Sequence, residues 1–125
     1  MKIRIHEIFK ESRANGPGLR FVIFMQGCYF KCEGCINPKT HDPTGGYSLT
    51  IAELIDKITS IQDKLEGVTI TGGEPFLQPN ALSELTSQIK YLGLSIIIST
   101  GYELEELECE IENFSQIHAN CDALI

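Results

Sequence analysis

A chain of 125 residues, 42% of them hydrophobic, has room for one core and no second domain. A formal net charge of −7 and a pI of about 4.9 argue against gripping a nucleic-acid backbone, which takes clustered Lys and Arg. No apolar run approaches the ~18 residues of a membrane span, and Met1-Lys2-Ile3-Arg4-Ile5-His6 is charged too early for a signal peptide, so a cytoplasmic protein with no membrane partner is expected.

Residues 2–8 alternate loosely and suggest a short first strand. Asn15-Gly16-Pro17-Gly18 is a turn signal. Arg20 to Met25 is an apolar run rich in Val, Ile and Phe, suited to a strand buried on both faces. A long loop follows, running through Asn37-Pro38 to Gly45-Gly46. Thr50 and Glu53 are spaced as a capping box, and Leu54, Ile55, Ile58, Ile61 and Leu65 recur at helical spacing. Gly67 to Thr71 reads as a second buried strand. Asn80 is placed to cap a helix with Leu82, Leu85, Ile89 and Leu92 on one face and Gly93 as its stop. Residues 94–100 read as a third core strand, 103–113 as a Glu-rich helix with a solvated face, and 121–125 as the opening of a fourth strand. Strands alternating with amphipathic helices predict parallel βα units with right-handed crossovers. In such folds ligands bind at the C-terminal ends of the strands.

Two loops fall at such ends. The first holds Cys28, Cys32 and Cys35, spaced C-x3-C-x2-C, directly after the Gln26-Gly27 turn. Five cysteines, an odd number with three of them packed together, do not read as a secreted disulfide scaffold. They read as a metal site in a reducing compartment, with Cys109 and Cys121 as separate thiols. Three thiolates can hold three irons of a 4Fe–4S cluster and leave the fourth iron open. Tetrahedral zinc, with His41 as a fourth ligand, is the chemical alternative. The second loop is Thr71-Gly72-Gly73-Glu74-Pro75. Its glycines permit close backbone approach to a ligand, and Glu74 could accept from an ammonium group; a plain turn is the bland reading. Ser99-Thr100-Gly101-Tyr102 ends the third strand, with hydroxyls able to reach a ribose or simply to cap the next helix.

Taken together, Gly16-Pro17-Gly18-Leu19-Arg20, the run from Met25 to Thr40 with its three cysteines, and Thr71-Gly72-Gly73-Glu74-Pro75 resemble the radical S-adenosylmethionine superfamily. Within it they resemble the activating enzymes of glycyl-radical enzymes. Gly34 before the third cysteine, and Thr100-Gly101-Tyr102 ahead of Leu104-Glu105-Glu106-Leu107, bring the anaerobic ribonucleotide reductase activating proteins nearest.

The resemblance implies one 4Fe–4S cluster on Cys28, Cys32 and Cys35, with S-adenosylmethionine chelating the open iron. It implies that Gly72, Gly73 and Glu74 line the methionine end of that cofactor, with Ser99 and Thr100 also toward it. The activity implied is reductive cleavage to a 5′-deoxyadenosyl radical that takes a hydrogen from a glycine of a partner enzyme. A flavodoxin or ferredoxin would serve as electron donor. The fold implied is α/β, a partial (βα) barrel spanning residues 1–125 as one domain. It looks truncated after the start of the fourth core strand, as a fragment or with a partner over the open edge. Two other readings stay open: a radical S-adenosylmethionine enzyme acting on a small molecule or nucleoside precursor, and an inactive truncated metal-binding module.

Overall fold

The computed structural model describes residues 1–14, 16–27 and 45–125. Six strands form one sheet: β1 (Lys2–Ser12), β2 (Arg20–Met25), β3 (Tyr47–Thr50), β4 (Gly67–Gly72), β5 (Ser95–Ile98) and β6 (Ala123–Leu124), in the order β3-β1-β2-β4-β5-β6. Strands β2, β4, β5 and β6 run parallel. β1 lies antiparallel to both β2 and β3. Among the described residues, four α-helices accompany the sheet: α1 (Ile51–Thr59), α2 (Pro79–Tyr91), α3 (Leu104–Glu110) and α4 (Phe114–Asn120).

One face of the sheet carries the main core. Phe21, Ile23 and Met25 of β2, Val68 and Ile70 of β4, and Ile96 and Ile98 of β5 pack with Leu54 and Ile58 of α1, Leu82, Leu85 and Ile89 of α2, and Phe114 and Ile117 of α4. Side chains alternate across a strand, so these sets are the every-second residues that a parallel sheet turns toward its crossover helices. Each large aliphatic so buried stabilises the fold by about 1.5–3 kcal/mol. The opposite face carries Arg20, Val22, Thr69 and Ile97, also buried. The Gly16-Pro17-Gly18 turn lies against it: a Cβ on Gly16 would stand 2.9 Å from Arg20 Cδ and from Ile97 Cδ1.

Arg20 ties together the N-terminal ends of the parallel strands. It is 1% exposed. Its Nε donates to Thr69 Oγ1 (2.8 Å), its two terminal nitrogens to the carbonyls of Pro17 (3.2 Å), Val68 (3.1 Å) and Ser95 (3.2 Å). Burial pushes the guanidinium's pKa down, and Asp122 and Glu66 push it up. A guanidinium titrates so far above neutrality that it stays charged. The Arg of the Gly-Pro-Gly-Leu-Arg segment therefore works at the end of the sheet remote from the two special loops.

The structure departs from the expected elements in several places. β1 runs to Ser12 because it pairs with β2 back to the Ser12–Arg20 register. β3 was not expected; four residues on an edge carry too little pattern to declare a strand. α1 ends at Thr59, and Leu65 reaches the core through a 3₁₀ turn at Gln62–Lys64. The Thr50 hydroxyl accepts from the Glu53 N–H, as a cap should. α2 begins at Pro79, with Gln78 in the capping position, so Asn80 sits inside the first turn; proline needs no hydrogen bond there. The helix expected over 103–113 stops at Glu110, and a separate α4 follows. Acidic residues in the last turn of α3, with no basic one, oppose the negative end of the helix dipole. Ile111 is extended, which breaks the run.

Candidate functional site

The C-terminal ends of β2, β4 and β5 meet at one point of the sheet, and backbone hydrogen bonds hold them there. The Gly73 N–H donates to the Met25 carbonyl (2.9 Å) and the Glu74 N–H to the Gly27 carbonyl (2.7 Å). The Gly-Gly-Glu-Pro turn is thus fastened to the residues from which the cysteine motif departs. Gly72 has φ +99°, and a Cβ there would lie 2.5 Å from Met25 N and 2.7 Å from Met25 O. No other residue fits, because the strands approach at that position and the backbone is left-handed.

Glu74 is fully buried. Its carboxylate accepts from the Phe76 N–H at Oε2 (2.9 Å), from the Gly101 N–H at Oε1 (2.6 Å), and from the Thr100 hydroxyl, 2.8 Å from both oxygens. Burial pushes the Glu74 pKa up, and these three donors push it back. The Thr100 hydroxyl in turn accepts from the Tyr102 N–H (3.1 Å). Glu74 and Thr100 therefore spend their polar atoms joining the turn after β4 to the end of β5. Ser99, partly exposed beside them, donates its N–H to the Ile70 carbonyl (2.9 Å). A cavity of about 350 Å³ opens next to Thr100, lined also by Tyr102, Leu104, His118, Leu124 and Ile125.

Of the residues singled out from sequence, Gly72, Gly73, Glu74, Ser99 and Thr100 come together at this end of the sheet. Cys28, Cys32 and Cys35, with His41 of the zinc alternative, lie outside the described residues. Gln26 and Gly27, which lead into the cysteines, are buried, and the Gly27 carbonyl is the one that accepts from Glu74. Sequence reading missed Gln78. Its side-chain amide accepts from the Arg4 N–H (2.8 Å) and donates to the Arg4 carbonyl (3.0 Å) and the Gln26 carbonyl (3.4 Å). It takes the place of a missing strand beyond the end of β2. A glutamine three residues after a Pro turn carries no pattern that would announce this. Cys121 is half-buried, its thiol donating to the Ala123 carbonyl (3.0 Å), and burial pushes its pKa up; Cys109 is exposed on α3.

A protein-family comparison matches residues 14–125 to a family described as a 4Fe-4S single cluster domain. The chain belongs to this family. Similar curated proteins include the pyruvate formate-lyase-activating enzyme of Clostridium pasteurianum, 39% identical over 104 residues, which is 79% of this chain and 44% of that protein. The enzyme of the same name from Staphylococcus epidermidis is 34% identical over 108 residues, 81% of this chain and 42% of that protein. Among solved structures, that of QueE from Escherichia coli aligns with a TM-score of 0.64 at 24% identity, over 80% of this chain and 52% of that one. The chain spans less than half the length of these two curated relatives.

The motif resemblance to radical S-adenosylmethionine activating enzymes is borne out by these relatives, and the α/β partial-barrel fold by the likeness to QueE. The cofactors of such a 4Fe–4S single-cluster domain are one 4Fe–4S cluster and S-adenosylmethionine. The residues fit that set. Three thiolates are an iron–sulfur donor set, and the motif holding them leaves the sheet at Gly27, hydrogen-bonded to Glu74. Among the described residues, no helix is long and apolar enough to cross a membrane.

Proposed function

We propose that this chain is the cluster- and cofactor-binding unit of a radical S-adenosylmethionine activating enzyme for a glycyl-radical enzyme. The observation that carries the reading is the fastening of the two special loops to each other, Gly73 to Met25 and Glu74 to Gly27. Cys28, Cys32 and Cys35 would hold three irons, and Gly72 and Gly73 would bring backbone close to the methionine end of the cofactor. Glu74 and Thr100 would act chiefly by holding the floor of that site rigid, with Ser99 beside them. When bound, cluster and cofactor together supply the radical chemistry; the protein's part is to orient them and exclude water.

The partner would be a glycyl-radical enzyme. Gly34 and Thr100-Gly101-Tyr102 favour an anaerobic ribonucleotide reductase, while the names of the relatives favour pyruvate formate-lyase. A flavodoxin or ferredoxin would donate the electron, in the cytoplasm.

The test is anaerobic reconstitution followed by electron paramagnetic resonance of the dithionite-reduced chain, with and without S-adenosylmethionine. A 4Fe–4S signal that shifts with the cofactor, and that Cys32→Ala abolishes, is the expected result. Zinc in place of iron, or a cluster signal indifferent to the cofactor, overturns the reading. Incubation with each candidate partner, scored by the glycyl-radical signal, then decides between them.

A further inference from the structure

The loop that carries the cysteines leaves the described chain at Gly27 and rejoins it at Gly45, and both ends meet one residue of β1. The Gln26 N–H donates to the Arg4 carbonyl (3.3 Å), beside the Gln78 amide that bonds both the N–H and the carbonyl of Arg4. The Arg4 guanidinium reaches the other end, where Nη1 donates to the Gly45 carbonyl (2.9 Å). Next to it, Gly46 has φ +71°, and a Cβ there would stand 2.3 Å from the Ile5 carbonyl oxygen and 3.1 Å from Cβ and Cγ of Gln26. The returning chain therefore presses against both β1 and the departing chain, and then pairs as β3 with Tyr47 opposite Ile5 and Ser48 opposite Arg4.

The geometry points to Arg4 as a positioning residue for the iron–sulfur cluster. It would act by pinning the return of the cysteine loop beside its departure. The inference rests on the reading of Cys28, Cys32 and Cys35 as cluster ligands. A charged planar donor held by its own strand is well suited to the task, because its backbone is fixed on one side by Gln78 and on the other by β3. Fixing where a loop leaves and returns narrows the arrangements open to it, and so favours the one in which its three ligands face a single cluster. Residues that orient metal ligands without touching the metal typically change metal affinity about 10–100-fold when replaced.

The test uses the whole chain with Arg4→Gln and Arg4→Lys, and Arg13→Gln as a control away from the loop. Hydrogen exchange on the apo proteins reads the amides of residues 45–47 and 26–27 against those of α2. Chelator-driven bleaching of the cluster absorbance reads retention of iron. Expected for Arg4→Gln is faster exchange at 45–47 with α2 unchanged, together with bleaching about tenfold faster. Arg4→Lys, which keeps charge and one donor, should fall between, and Arg13→Gln should match the parent. Unchanged exchange at 45–47 overturns the clamp. Faster exchange with unchanged bleaching overturns its link to the cluster. A parent chain that takes up no cluster overturns the underlying site assignment, while exchange still decides whether Arg4 holds the loop. If Arg4→Gln does not fold, Arg4→Lys carries the same comparison.

Discussion

Replacing Glu74 with Gln isolates what its carboxylate does. Three donors converge on it: the Phe76 N–H, the Gly101 N–H and the Thr100 hydroxyl. A glutamine keeps one acceptor oxygen. If that oxygen faces Gly101, the new NH₂ faces the Phe76 N–H; the reverse orientation sets it against Gly101. Thr100 can turn its hydroxyl to accept from the new amide, but one backbone N–H must lose its partner. A buried donor left unsatisfied costs about 1–3 kcal/mol. Relief from burying a charge acts in the opposite direction, and the three donors around the carboxylate have already offset much of that charge cost.

The expected outcome is a net loss of about 1–2 kcal/mol in urea unfolding of the apo chain, with the m-value unchanged. The comparison also depends on pH. Burial raises the Glu74 pKa above its unfolded value. The stability this contributes is therefore full below the unfolded pKa and is lost as pH rises through the folded one. Glutamine does not titrate, so the parent's advantage over Glu74→Gln should be larger at acidic than at neutral pH. A variant as stable as the parent at every pH would refute the carboxylate as the tie between β4 and β5.

Three further outcomes follow from the same geometry. Arg20→Met should destabilise the apo chain by about 1–3 kcal/mol, since it removes the buried donor that the Thr69 hydroxyl and the carbonyls of Pro17, Val68 and Ser95 share; thermal unfolding checks it. Gly72→Ala should lose more than the ~1 kcal/mol of an ordinary helix or strand exchange, because the added Cβ meets the Met25 backbone; circular dichroism on soluble protein should show a lowered unfolding midpoint. Iodoacetamide near pH 8 should label exposed Cys109 well before Cys121, whose thiol is half-buried with a raised pKa; peptide mass mapping reads the order, and equal rates would contradict the packing around β6.

The parallel part of the fold was legible because its strands are continuous apolar runs and its helices repeat every third and fourth residue. Both signals are local and strong at 20–25, 67–72 and 79–91. β3 and the break between α3 and α4 were not legible. β3 exists only because β1 offers it an edge, and α4 is held by burial of Phe114 and Ile117 against α2 rather than by any propensity of its own.

The site divides in the same way. Gly72, Gly73 and Glu74 stood out as a motif because the glycines answer a local backbone demand that any reader of sequence can anticipate. Arg4 and Gln78 did not, since their partners are 41 and 74 residues away in the chain and nothing about a lone Arg or Gln encodes such a partner. The motif residues thus mark where a cofactor can sit, while the residues that hold the motif still are drawn from β1 and the start of α2. Substitutions at Arg4 or Gln78 should therefore disturb the site without altering a single motif residue, which is why the loop's anchorage has to be tested separately from its ligands.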